Sequence, residues 1–425
     1  KSSAASDVYK RQVLHIDMNA CYASIECLYD PSIRNLPVAV GGDVEARHGI
    51  ILAKNQIAKR FGVKTGEALW QAKQKCPELH IVPPHFDRYL RFSRMAREIY
   101  ADYTDLVEPF GLDEVWCDVT GTQKLRERGM EALANEIRER VKFELGITVS
   151  VGASWNKIFA KLGSDYKKPD AVTVFTPENY RDKVWPLPAS DLLGVGRATE
   201  RKLALRGIRT IGDIAAAPPS MLRGFLGKWG LILHDFATGY DTSPVARAGD
   251  EAVIKSIGNS TTTPRDLCCD EDAGIVYWML CESVAERMRE SGFLCRGVQV
   301  HIRDNELVSF ERQLKLESPT CLASVLHEAA MRLLRENWDW HKPLRSIGMR
   351  ATDLLPASTP VQCSIFEDSE RQEKRERLER SVDDLRRRFG HYCVGRAVCV
   401  SDPTLRNISP KDDHVIHPVG YFKAV

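Results

Sequence analysis

Along the chain the spacing of apolar and polar positions changes period several times, and each change marks an element. Val13–Met18 alternates as a strand does; a short helix follows and stops at Asp30-Pro31. A Pro-flanked strand over 37–41, a strand–helix–glycine unit over 49–66 and a helix over 69–75 fill a small insert, 22–84. Helical period returns over 88–103, with Leu90, Met95, Ile99 and Tyr103 near one face. Two short β-like runs, 106–110 and 115–119, then flank Gly111-Leu112-Asp113-Glu114. An amphipathic helix is predicted over 123–144, with Met130, Leu133, Ala134, Ile137 and Val141 as its stripe. A strand over 147–151, a helix over 156–162 and a strand over 171–175 follow. With the insert set aside, the order is β-α-β-β-α-β plus one strand, an α+β, ferredoxin-like pattern that lays the first strand beside the acidic hairpin.

After a linker at Leu187-Pro188, residues 181–248 read as helix, glycine-rich hairpin and helix. Residues 252–355 repeat strand, helix, strand, strand, helix, strand, with strands near 253–260, 296–303, 307–314 and 344–351. The tail, 356–425, holds a charged helix over 370–389 whose narrow apolar stripe is Leu378, Val382, Leu385 and Phe389, either docked on its own domain or solvated.

Length changes this picture little: 425 residues suit several domains. The net charge of +2 neither identifies nor excludes a nucleic-acid partner. Its distribution says more, since 181–248 carries ten Lys/Arg against six Asp/Glu, whereas 252–355 carries thirteen against fifteen. The twelve Cys include no CxxC pair, which argues for buried thiols in a reducing, cytoplasmic setting rather than zinc. No run of about 18 apolar residues is present to span a membrane. The polar leader 1–12 lacks the apolar core of a secretory signal and is set aside as a non-native or disordered leader.

The candidate chemistry centres on the acidic turn. Two adjacent carboxylates at the tip of an apolar hairpin are costly without counter-charge, and a metal ion supplies it. Asp17, at the end of the first strand, completes a set of three acids able to hold two Mg²⁺ for nucleotidyl transfer. Asp17 and Asp113 would bridge both ions, Glu114 would bind one, and Met18 would offer its backbone carbonyl. Singly, each acid reads as a turn residue. Lys157, at a helix start after a strand, suits a triphosphate, though spacing alone favours a solvated lysine. Tyr22, five residues after Asp17, is placed to lie under the sugar and exclude a 2′-hydroxyl; alone it would read as core. Gly194-Val195-Gly196 brings backbone N–H groups to a helix start, where they meet a phosphate without reading sequence.

The motifs VLHIDMNACYASIE, GVKTGEALWQAKQKCP, EPFGLDEVWCDVTGT, VSVGASWNKIFAKLGSDYKKPD and LLGVGRATERKLALRGIRTIGDI occur in this order. Together they resemble the Y-family translesion DNA polymerases over about residues 13–355. That resemblance implies a ferredoxin-like palm (13–21 and 85–180), small fingers (22–84), a helix-hairpin-helix thumb (181–248) and an α+β little finger (252–355). It makes Asp17, Asp113 and Glu114 metal ligands, Tyr22 the steric gate and Lys157 a triphosphate contact. It also puts Lys255, Ser256, Arg345 and Ser346 against template backbone. Two departures stand out. The fingers helix has Gln56 and Lys59 where the family commonly has Tyr and Arg, which loses the bidentate fork. Gly111 stands where a Ser is frequent. Gln362-Cys363-Ser364-Ile365-Phe366 is similar to the bacterial sliding-clamp peptide, with Gln362, Ile365 and Phe366 as anchors.

The expectation is a monomeric, Mg²⁺-dependent DNA polymerase working on primer-template DNA with dNTPs. Low fidelity and lesion tolerance follow from an insert too small to test the nascent pair closely. A nucleotidyl cyclase needs no helix-hairpin-helix. A non-catalytic DNA- or clamp-binding adaptor would be expected to lose a carboxylate, and all three are present.

Overall fold

A computed structural model describes residues 11–42, 49–250, 253–360, 369–406 and 408. Residues 11–42 and 50–250 belong to one compact unit and those from 253 onward to a second.

The first unit is built on a five-stranded sheet, ordered β5-β6-β1-β7-β8. Its strands are β1 (Val13–Met18), β5 (Val107–Phe110), β6 (Glu114–Asp118), β7 (Val149–Ser154) and β8 (Val172–Val174). All six residues of β1 are buried, because the sheet is covered on both faces. Leu14, Ile16 and Met18 share a core with Phe92, Ala96 and Ile99 of one long helix, Phe86–Ala101, and Leu133, Ile137 and Val141 of another, Met130–Leu145. The second helix is shorter than its apolar stripe predicted, since the chain breaks at Gly129 and leaves a separate turn of helix, Gln123–Arg128. On β1, His15 and Asp17 alternate with that core and point to the other face.

That other face carries the helix Lys157–Tyr166. It lies so close to β7 that a Cβ on Gly152 would come within 1.8 Å of the Ala160 carbonyl oxygen. Glycine is therefore required there, and the approach sets the height of the helix above β1. Gln12, assigned by sequence to the leader, prolongs the pairing of β1 with β6 through a backbone bond from Val119. The insert folds around a small sheet, ordered β3-β2-β4, of Ile51–Lys54, Val38–Gly41 and His80–Val82. Beyond 181, four helices (Arg197–Ala204, Ile211–Ala216, Pro219–Leu226 and Lys228–Ala237) surround one apolar core; the periodicity showed only the first two.

The second unit has the same element order but a different strand order, β11-β10-β12-β9. Its strands are β9 (Ile257–Leu267), β10 (Phe293–Asp304), β11 (Ser309–Thr320) and β12 (Leu344–Pro356). β9 starts four residues later than the pattern predicted. β11 runs past Pro319, which an edge strand tolerates because it has a free side. Helices Asp270–Glu290 and Ala323–Asn337 cover one face of the sheet.

The charged helix Ser369–Phe389 docks on this unit, but not by its apolar stripe. Leu378 and Phe389 remain more than 60% exposed. Glu379 and Asp383 turn inward to the Arg289 guanidinium at 2.6 and 2.7 Å, and Arg386 pairs with Glu282 at 2.8 Å.

Candidate active site

Strand register builds the acidic site. Asp17 stands directly opposite Glu114 across the β1–β6 pair, and the Met18 amide donates to the Asp113 carbonyl at 2.9 Å. The turn is held from behind by the helix Phe86–Ala101: Ser93 Oγ donates to the Leu112 carbonyl at 2.6 Å and Arg97 to that of Gly111 at 3.0 Å. All three acids therefore gather at one end of the sheet.

Counter-charge comes from lysines that the sequence reading did not single out. Lys168 Nζ lies 2.7 Å from Asp17 Oδ2 and 2.7 Å from Asp165 Oδ1. Lys161 pairs with Glu114. His15 is fully buried, with Nε2 3.2 Å from Glu114 Oε2 and Nδ1 2.8 Å from Ser164 Oγ. Burial lowers its pKa to about 4, so the ring is neutral. Burial raises the Asp17 carboxyl, and neighbouring Glu114 and Asp113 add to the shift against Lys168. Burial, followed by Glu114, raises Asp113 as well. Glu114 moves the other way: burial pushes it up, but His15 and Lys161 outweigh burial and hold it low.

The donors fit a hard divalent cation, being carboxylate oxygens crowded enough to resist sharing negative charge. Yet among the described residues no three His, Cys, Asp or Glu converge on a metal position. Asp17 faces Lys168, while Glu114 faces His15 and Lys161, so the side chains must turn to meet an ion.

Lys168 is positioned by its loop. The Asp170 amide donates to Asn19 Oδ1 at 2.8 Å, and the Asp170 side chain is held by Arg138 and Lys142, each at 2.7 Å. From sequence, Lys167 to Asp170 reads only as a loop. Lys157, the expected triphosphate lysine, is placed elsewhere. It is buried, 2.7 Å from Glu108 Oε1, and its ammonium lies over the Trp116 ring. Glu108 Oε2 accepts from the Ala246 amide, so this pair fastens the segment leaving the helical region to the sheet. Lys157 is thus paired within the fold and not with the acids; the lysines at the acids lie four and eleven residues further on.

Tyr22 is half-buried and stacks on Tyr89, and burial, with Asp113 adding to it, raises its phenol. Gln56 opens the short helix Gln56–Arg60 and lines a cavity of about 260 Å³ with Asn19, Ala20, Arg34 and Pro169, the neighbour of Lys168. Lys59 is exposed at the end of that helix. Neither is bonded to the acids.

Gly194, at φ +92°, closes the hairpin: its carbonyl accepts from Trp229 Nε1 at 3.2 Å, and a Cβ there would lie 2.4 Å from Trp229 Cζ2. Val195 packs into the helical core, and Gly196 caps the helix Arg197–Ala204. In the second unit Lys255 and Ser256 are exposed just before β9 rather than within it. Arg345 is half-buried on β12, and the Arg345 carbonyl accepts from Thr263 Oγ1; Ser346 stands opposite Thr262. Gln362, Ile365 and Phe366 lie outside the described residues.

Residues 16–165 match the impB/mucB/samB family, and residues 254–365 match that family's C-terminal domain. The chain is 50% identical over 399 residues to a DNA polymerase IV of Acetivibrio thermocellus, covering 94% of this chain and 100% of that one. It is 38% identical over 390 residues to a DNA polymerase IV of Moorella thermoacetica, covering 92% and 96%. Among solved structures it is similar to DinB from Sulfolobus solfataricus, at 25% identity and TM-score 0.53 over 80% of this chain and 98% of that one. Its fold is also similar to a Y-family DNA polymerase chimera, Dbh-Dpo4(243-245)-Dbh, at 23% identity and TM-score 0.70 over 81% and 99%.

Proposed function

Because the chain belongs to the Y family of DNA polymerases and is a DNA-directed DNA polymerase of the translesion kind, we propose that it extends primers by two-metal phosphoryl transfer at Asp17, Asp113 and Glu114. Primer-template DNA and dNTPs are its substrates. The observation that carries the proposal is the register: Asp17 faces Glu114 on adjacent strands while the Met18 amide holds the Asp113 carbonyl.

In this reading the three carboxylates and the Met18 carbonyl would hold two Mg²⁺, which would lower the pKa of the primer 3′-hydroxyl and neutralise the triphosphate. The protein residues do the rest. Lys168 and Lys161 keep the carboxylates neutralised until substrate arrives, and Lys168 then turns its ammonium from Asp17 to pair with a phosphate of the incoming nucleotide. Tyr22 lies under the sugar, and Gln56 and Lys59 face the triphosphate from the insert. Gly194 to Gly196, Lys255, Ser256, Arg345 and Ser346 meet the DNA backbone. The five-stranded sheet serves as palm, the insert as fingers, the helical region as thumb and the second unit as little finger.

The small three-stranded insert supports low fidelity and lesion tolerance, since it offers little surface to close on the nascent pair. No helix among the described residues is long and apolar enough to cross a membrane. We assign the enzyme to the cytoplasm as a monomer that meets a sliding clamp through Gln362, Ile365 and Phe366. Primer extension with Mg²⁺ and dNTPs on undamaged and lesion-bearing templates tests this; failure to extend either would reject the mechanism, and stalling at every lesion would reject the tolerance.

A further inference from the structure

The Tyr22 ring does not act alone. It stacks face to face on Tyr89, with centroids 4.1 Å apart and planes 5° apart, and Phe86 meets both rings edge-on. Tyr89 is fully buried on the first turn of the helix Phe86–Ala101. Its hydroxyl accepts from the His85 amide at 3.1 Å and donates to Glu26 Oε1 at 2.6 Å.

Glu26 is the unusual group. It is a carboxylate only 2% exposed, on the helix Cys21–Tyr29, four residues beyond Tyr22 and so one turn further along the same face. Burying a carboxylate is costly unless every lone pair is used. Here it takes the Tyr89 hydroxyl, His85 Nδ1 at 3.0 Å and Arg88 at 2.8 Å, all from the start of one helix. This cluster lies outside the metal site, and nothing in phosphoryl transfer itself calls for it.

We propose that Glu26 is a positioning residue for sugar selection, fixing Tyr89 by its hydroxyl and thereby fixing how far the stacked Tyr22 ring projects beneath the nucleotide sugar. Stacked rings slide over one another at little cost, so stacking alone leaves the depth of Tyr22 loosely defined. A short bond to a carboxylate oxygen is directional and strong. Burial, reinforced by that bond, raises the Tyr89 phenol, so it stays a donor at working pH. Arg88 and His85 orient the carboxylate independently, so removing the Tyr89 hydroxyl strands no unpaired charge.

The inference rests on Tyr22 being the sugar gate, and the experiment separates the two. Insertion of a dNTP and its matching rNTP is measured for the full chain and for Tyr22→Ala, Tyr89→Phe, Glu26→Ala and Glu26→Gln, with thermal melts alongside. Tyr89→Phe keeps the ring and loses the anchor. It is expected to lower the dNTP/rNTP ratio of kcat/KM about fivefold, the order of one hydrogen bond. The change should fall in the KM for rNTP, with kcat for dNTP near wild type. Glu26→Ala should match it, and Glu26→Gln, which still accepts from the phenol, should recover most of the ratio. If Glu26→Ala does not fold, Tyr89→Phe decides alone. A relaxed Tyr22→Ala with Tyr89→Phe at the wild-type ratio overturns the positioning role and leaves the gate. An unchanged Tyr22→Ala overturns the gate and the anchor with it.

Discussion

Replacing Lys157 and Lys168 in turn by Met separates a lysine of the fold from a lysine of the site. The Lys157 ammonium is 3% exposed, 2.7 Å from Glu108 Oε1 and 3.4 Å from the Pro244 carbonyl. Breaking a buried pair costs about 3–5 kcal/mol, and Glu108 is about a fifth exposed, which puts the loss near the lower end. At about 2–4 °C per kcal/mol for a unit of this size, melting should fall by roughly 6–12 °C. The KM for dNTP should be unchanged. Lys168 is a quarter exposed, so solvent screens its pairs with Asp17 and Asp165, and its removal should cost about 1 kcal/mol of stability. Against a phosphate oxygen about 4 Å away, one unit charge at an effective dielectric near 20 is worth about 4 kcal/mol before desolvation. A net half of that raises KM for dNTP roughly 30-fold. Thermal melts and steady-state single-nucleotide insertion read both effects. A raised KM with unchanged melting in Lys157→Met, or a KM within about twofold of wild type in Lys168→Met, would refute the assignment.

Three further outcomes follow from the geometry. Gly194→Ala forces a Cβ against Trp229 at a left-handed backbone position, costing about 1–2 kcal/mol for the backbone alone; primer-template affinity by fluorescence anisotropy should weaken for every sequence, and wild-type affinity would exclude a DNA role for this hairpin. Arg289→Met leaves Glu379 and Asp383 without their main counter-charge, so backbone amides of Ser369–Phe389 should exchange with solvent faster; unchanged exchange would show that the helix is held by something else. His327, stacked on Trp278 at 3.8 Å, has its pKa lowered from 6.5 to about 4 by burial, with Arg396 and Arg335 adding to the shift against its bond to the Gly274 carbonyl. Its folded-state pKa lies below the unfolded one, so its contribution is complete above pH 6.5 and is lost as pH falls toward 4. The second unit should therefore melt lower at pH 5 than at pH 7, and His327→Phe should flatten that difference; equal slopes would contradict the reasoning.

How much of this was legible in the sequence depends on which physical signal carried it. β1 and the acidic hairpin declared themselves by alternation, and the βαββαβ order was enough to pair them, so Asp17 met Glu114 as expected. The lysines did not declare themselves. Lys157, Lys161 and Lys168 look alike in sequence; the close approach of Gly152 to Ala160 and the pinning of Asp170 by Asn19, Arg138 and Lys142 determine which of them reach the acids. Gln56 and Lys59 were placed on their helix correctly, but no period shows the cavity that Gln56 lines. The charged helix docks, one of the two readings its stripe allowed, but the stripe does not show how: Arg289 and Glu282 bind its charges, a pairing that needs the tertiary fold. Glu26 was unreadable for the same reason, since its partners His85, Arg88 and Tyr89 lie about sixty residues away.

The most direct test compares primer extension by the wild type and Asp113→Asn, with primer-template binding measured on both. With Mg²⁺ and dNTPs the wild type should extend. Asp113→Asn should bind DNA with unchanged affinity and lose at least about a thousandfold in kcat, equivalent to roughly 4 kcal/mol of transition-state stabilisation. Extension by Asp113→Asn at a rate near wild type would contradict the claim that this carboxylate holds the reacting centre.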